Sequence, residues 1–123
     1  MEFQLNMLFE AQSLERQTEL LLCSLNDLDE MIITTQKLTD AYIKQDLKGL
    51  QELLEMNKGD NCDLLPGEMA ILIDNRNINW AKAFPEKVKE GPAFIVVGAG
   101  HLPGDKGMIN LLREKGYTVQ PVS

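Results

Sequence analysis

Phe94-Ile95-Val96-Val97 is an unbroken apolar run that stops at Gly98-Ala99-Gly100 and is followed at once by His101, the chain's only histidine. A run with no polar alternation is the pattern of a strand buried on both faces. It constrains the fold more than any other stretch, because such a strand needs covering layers on each side. It also puts a titratable imidazole at the carboxyl end of the strand, where open α/β sheets hold their ligands.

The surrounding sequence supplies helices. Residues 1–57 read as helical: Phe3, Leu5, Leu8 and Phe9 form one apolar stripe, Ser13 suits the cap of a second helix, and Asn26-Asp27 suits a break. A third helix carries Leu28, Met31, Ile32, Leu38, Ala41 and Tyr42, and Asp46 caps a short fourth. Residues 58–67 form a polar turn region. From Glu68 to Phe84 a long helix follows, with Met69, Leu72, Ile73 and Trp80 on its buried side and Pro85 as a kink or a new start. A last helix is expected from about Asp105, with Met108, Ile109, Leu111 and Leu112 apolar and Gly116 just past its end. Residues 117–122 then read as a second strand.

The expected fold class is therefore α/β: a helix-rich N-terminal part, residues 1–57, followed over residues 65–122 by a long helix and a β-α-β unit with a right-handed crossover. Two parallel strands cannot bury the Phe94 run. The expectation is a single partial domain over residues 1–123, completed by close-wrapping helices, by strands from further polypeptide, or by a second copy.

Composition narrows the partners. With 123 residues there is room for one domain with a modest core. A net charge of −7 excludes unaided binding to nucleic acid or anionic lipid, since no basic patch is present to displace counterions. No stretch reaches transmembrane length, so no direct membrane insertion is expected. Met1-Glu2 does not open a signal-peptide pattern. Cys23 reads as a small core residue in a leucine-rich helix and Cys62 as a loop residue; their spacing signals neither zinc nor a disulfide framework.

Chemistry concentrates at two places. Gly98 and Gly100 leave the backbone open beside His101, and Gly104 with Asp105 places helix N-terminal amides nearby. A histidine there can ligate a divalent metal, act as an acid or base, or simply pack at a strand end and bond the backbone. In Asp74-Asn75-Arg76-Asn77, four consecutive polar residues span more than one helix face, so at least one points inward. An inward Arg76 needs a carboxylate or phosphate; a solvated Arg76 would bridge to Asp74 or Glu68. Other signals are weak. Gly98-Ala99-Gly100 fails as a dinucleotide fingerprint because the third glycine would fall at Pro103. Glu10, Glu15, Glu19, Asp29 and Glu30 read as solvated, and Ser13 and Ser24 lack a base.

Ile73-Asp74-Asn75-Arg76-Asn77-Ile78-Asn79-Trp80, then the Phe94–Gly104 stretch with Gly98-x-x-His101, then Gly116-Tyr117-Thr118-Val119, resembles the C-terminal half of the TraB/GumN family, which includes the bacterial pheromone-shutdown proteins and the animal Tiki proteases. The resemblance is specific over about residues 65–122 and looser before them. It implies an α/β fold of two similar halves with a metal-dependent hydrolase or protease site between them, built from two G-x-x-H motifs, a glutamate and an arginine. Carried onto this chain, it makes Arg76, Asn77 and His101 the candidate catalytic residues, His101 a ligand for Mn, Co or Zn, and Gly98, Gly100 and Gly104 the motif backbone. The first G-x-x-H is expected ahead of Met1, and the glutamate there or near Glu2. On this resemblance the chain is a C-terminal portion with negligible catalysis alone, partnered by the other half or by a second copy. A peptide is the implied substrate, and a bacterial envelope or secreted setting is implied too. The rival expectation is a module that binds a peptide, or itself, without catalysis.

Overall fold

A computed structural model describes residues 12–122. The expected stripe through Phe3, Leu5, Leu8 and Phe9, and the residues Glu2 and Glu10, lie outside the described residues. The first described helix, α1 (Leu14–Asn26), starts where Ser13 accepts a hydrogen bond from the Arg16 amide and carries Glu15 in its positive first turn. Asp27 ends α1 and begins α2 (Leu28–Ile43). Asp46 then caps α3 (Leu47–Leu54) by accepting from the Gly49 amide at 2.9 Å. These three helices and both side-chain caps follow the sequence pattern.

The long helix is less regular than its pattern. It opens with α4 (Pro66–Met69), passes through a π-helical turn (Ala70–Asp74), and continues as α5 (Asn75–Val88) with Pro85 inside it. A π turn takes in one extra residue and rotates all that follows by about 100° relative to an uninterrupted α-helix. The expected buried side through Met69, Leu72, Ile73 and Trp80 is accordingly only half-buried, and the face that closes completely is that of Asn77 and Ala81. Beyond a single 3₁₀ turn (Ala99–His101), α6 (Met108–Glu114) starts after Gly107, later than the Asp105 start expected. It ends in a Schellman arrangement: Tyr117 N–H donates to Leu112 O and Gly116 N–H to Arg113 O, with Gly116 at φ +86°.

The expected α/β fold and its β-α-β unit are not what the described residues form. The described residues contain helices and irregular segments, and no strand. Residues 93–97 and 117–122 are joined by no backbone ladder, and inter-strand hydrogen bonds are what make a strand stable. The apolar run is not sheltered either: Phe94 is 95% exposed and Val96 76%. The final segment is held by side chains instead. The Phe84 and Tyr117 rings meet edge-to-face at 5.0 Å, and Arg113 donates to the Val119 carbonyl at 3.0 Å.

Burial is centred on few side chains. Ala41 of α2 and Leu50 of α3 are buried where those helices pack, and Ala81 of α5 and Met108 of α6 where theirs do. The 3₁₀ turn rests on α3, where a Cβ at Gly100 would lie 3.3 Å from Leu54 Cδ1. Covalent and ionic ties add to this small core. Cys23 and Cys62 form a disulfide, correcting the reading of two separate cysteines; their Cα atoms stand 5.6 Å apart although 39 residues separate them in sequence. Arg16 of α1 grips Glu68 of α4 and also donates to the carbonyls of Asn61 and Asp63, so one guanidinium joins α1, the loop and the start of the long helix.

Candidate functional site

His101 closes the 3₁₀ turn, its amide donating to the Gly98 carbonyl at 2.9 Å. That turn directs the imidazole onto α5, and the residue is 8% exposed. Two α5 side chains receive it. Asn77 Oδ1 lies 2.8 Å from His101 Nδ1. The Trp80 ring lies against the imidazole with centroids 4.8 Å apart and planes inclined by 55°. The spacing on α5 explains the pairing, because residues three apart share a helix face.

Asn77 is fully buried and serves as more than a neighbour of the ring. Its Nδ2 donates to the His101 carbonyl at 3.2 Å and to the Lys106 carbonyl at 2.8 Å. One amide therefore fastens both ends of the loop between the 3₁₀ turn and α6. Lys106 Nζ adds an ion pair with Asp74 Oδ2 at 2.8 Å, at the beginning of α5. Of the four consecutive polar residues, Asn77 is the one that points fully inward.

Arg76 contacts the same indole. Its guanidinium carbon is 4.9 Å from the indole centroid, and Nη1 donates to the Leu72 carbonyl at 3.3 Å. Neither proposed bridge forms: Asp74 pairs with Lys106, and Glu68 with Arg16. The guanidinium and the imidazole thus both contact the indole, and cation–π attraction holds the arginine over the ring that packs on His101. Burial of the imidazole is the main cause holding its pKa below the ordinary histidine value, and the Arg76 cation pushes in the same direction.

The motif glycines divide by function. Gly104 adopts φ +86°, a conformation that a side chain strains, and turns the loop toward α6. Gly98 needs no such freedom: a Cβ there would meet only His101 Cδ2, at the ordinary distance of 3.7 Å. Gly107, which the sequence reading did not single out, is the most restricted, since a Cβ would collide with the Pro103 and Leu102 carbonyl oxygens. Trp80, expected on the buried side of the helix, also carries the Arg76 guanidinium, and their spacing of four in sequence is the signal for that contact.

Two cavities among the described residues are not centred on the imidazole. A cleft of about 550 Å³ beside the disulfide, lined by Leu20, Met31, Leu53, Lys58 and Met69 among others, contains none of Arg76, Asn77 and His101. A second, of about 370 Å³, is lined by Gly100 and Gly104 together with Glu55, Asp74 and Lys106.

As a metal donor His101 is suitable in kind. A neutral imidazole with one nitrogen tied to a carbonyl oxygen is the usual form of a metal-ligating histidine. Among the described residues, however, no group of three or more histidine, cysteine, aspartate or glutamate side chains converges, so this region offers one donor, not a set. Among them, too, no helix is long and apolar enough to cross a membrane.

No curated protein and no solved structure matches the chain. A family-wide sequence pattern does, over residues 1–121, which takes in the N-terminal helices as well as the Arg76–His101 region: the chain belongs to the TraB/PrgY/gumN family.

Proposed function

We propose that the Arg76–Asn77–His101 cluster is one side of a metal-dependent hydrolase site acting on peptide bonds. The observation that carries this reading is the imidazole itself: the chain's only histidine is buried, held below its ordinary pKa by that burial, and oriented by a buried asparagine and an indole. On this reading one nitrogen of His101 binds a divalent ion. A metal held there would lower the pKa of an attacking water.

The remaining roles belong to the chain's own side chains. Arg76, which has no acidic partner among the described residues, is available to a catalytic carboxylate or to a developing oxyanion. Asn77 keeps the loop and the ring in register with α5. Catalytic metals are generally held by about three protein ligands. His101 therefore acts together with donors from outside the described residues, and the cluster by itself catalyses negligibly.

The test is calorimetric titration of the protein with Mn²⁺, Co²⁺ and Zn²⁺, then peptide cleavage with and without chelator, in the native protein and in His101→Ala. Metal uptake with chelator-sensitive cleavage that His101→Ala abolishes supports the hydrolase. A second reading is favoured by the exposure of Phe94, Ile95 and Val96: a non-enzymatic module that holds an apolar peptide, or another copy, against this segment. Peptide binding indifferent to both chelator and His101→Ala would establish that reading instead.

A further inference from the structure

The chain's hydrogen bonds choose between the two nitrogens of His101. Asn77 has two amide hydrogens, and both are committed to backbone carbonyls, those of His101 and Lys106. A carbonyl only accepts. Turning the amide over would set Asn77 Oδ1 against those two oxygens and leave all three without a donor, inside a residue with no exposed surface. The orientation of Asn77 is thus fixed by the main chain. Its Oδ1, which only accepts, then faces Nδ1 at 2.8 Å.

We propose that Asn77 fixes His101 as the Nδ1–H tautomer and so leaves Nε2 as the ring nitrogen that carries the free lone pair. Asn77 is a positioning residue in this assignment, acting through the imidazole and not on substrate. Nε2 has no hydrogen-bond partner among the described residues. The Trp80 ring packs against the same imidazole, with centroids 4.8 Å apart. A histidine in water prefers the opposite tautomer, with the proton on Nε2, so the choice made here is a measurable departure from the unstructured state. The assignment rests on the hydrolase reading only for the use to which Nε2 is put.

Because the chain has one histidine, a two-bond ¹H–¹⁵N correlation spectrum of the ¹⁵N-labelled protein at slightly alkaline pH reports this ring alone. The expected spectrum has Nδ1 at the protonated, pyrrole-like position and Nε2 at the unprotonated, pyridine-like position. A ring with the proton on Nε2, or one averaging between tautomers as free histidine does, overturns the proposal, and this needs no variant to fold. In Asn77→Ala, if it folds, the Nε2–H form is expected to return as the majority; persistence of the Nδ1–H form would show that Asn77 is not its cause. An Nε2–H ring in a protein that takes up metal and cuts peptide removes this assignment alone. An Nδ1–H ring in a protein that does neither removes the hydrolase reading alone.

Discussion

Arg16 and Glu68, 52 residues apart, are joined by two parallel hydrogen bonds of 3.0 Å each, from Nε to Oε1 and from Nη2 to Oε2. The forked geometry is the strong form of this ion pair, and it anchors α1 to the beginning of the helix that carries Asn77 and Trp80. Glu68 also accepts from the Leu65 amide, and the two interactions, the Arg16 bonds first, hold its carboxyl below the usual glutamate range. A depressed carboxylate pKa stabilises the folded state above the unfolded value of 4.5, and that contribution disappears as pH falls through the folded value. Glu68→Gln should therefore melt earlier than the native protein at neutral pH, and the gap should narrow on acidification. Thermal melts from about pH 7 down to about pH 3 decide this; a constant gap would mean that the carboxylate charge is not what matters.

The disulfide between Cys23 and Cys62 ties α1 to the loop ahead of α4 across a separation of 39 residues. Loop-closure entropy for a ring of that size corresponds to about 3–4 kcal/mol lost on reduction. Denaturant titration with and without reductant, and of the Cys23→Ser/Cys62→Ser double variant, should show that loss in both. Two thiols titrating in the unreduced, denatured protein would show that the bond does not form.

Gly107 and Gly98 make a paired test of the loop. Gly107→Ala drives a methyl into the Pro103 and Leu102 carbonyls, which are backbone and cannot swing aside. A loss of about 2–3 kcal/mol or more is expected. Gly98→Ala adds a methyl in ordinary contact with the His101 ring and should change stability by less than about 1 kcal/mol. Equal effects of the two substitutions on the denaturation midpoint would mean that the loop between the 3₁₀ turn and α6 relaxes freely.

The contrast between legible and illegible parts of this chain follows from range. Ser13, Asp46 and Gly116 act within one helical turn of themselves, and their capping roles were readable from neighbouring residues alone. Phe94-Ile95-Val96-Val97 has the side chains of a buried strand, but a strand requires a partner ladder, and a single sequence does not show whether one is present. The cysteine pair depends on how α1 and the loop are placed in space, which a spacing of 39 does not determine. The polar tetrad was informative only in part: it required an inward residue, yet whether Arg76 or Asn77 took that position depended on the π turn before them. A single histidine after glycines is a local signal and draws notice to His101, but its burial against Asn77 and Trp80, like the restriction at Gly107, arises from contacts made across the fold.

The buried imidazole makes stability depend on pH in the opposite range from a solvated histidine's silence. Burial, aided by the Arg76 cation, depresses the His101 pKa below its ordinary value of 6.5, so the unfolded chain binds a proton at higher pH than the folded one. The stabilising difference is complete above the unfolded value and is lost as pH falls through the folded value. His101→Gln keeps an amide able to donate to Asn77 Oδ1 but does not titrate. Below about pH 6.5 the native protein should lose stability more steeply than His101→Gln, by 1.36 kcal/mol for each unit of depression once both values are passed. Arg76→Met removes the second cause, so the imidazole pKa should rise toward its ordinary value, as followed by NMR titration of the single histidine. Parallel denaturation curves for native protein and His101→Gln between about pH 5 and pH 7, with no movement of the resonance in Arg76→Met, would place the ring in water and separate it from the guanidinium.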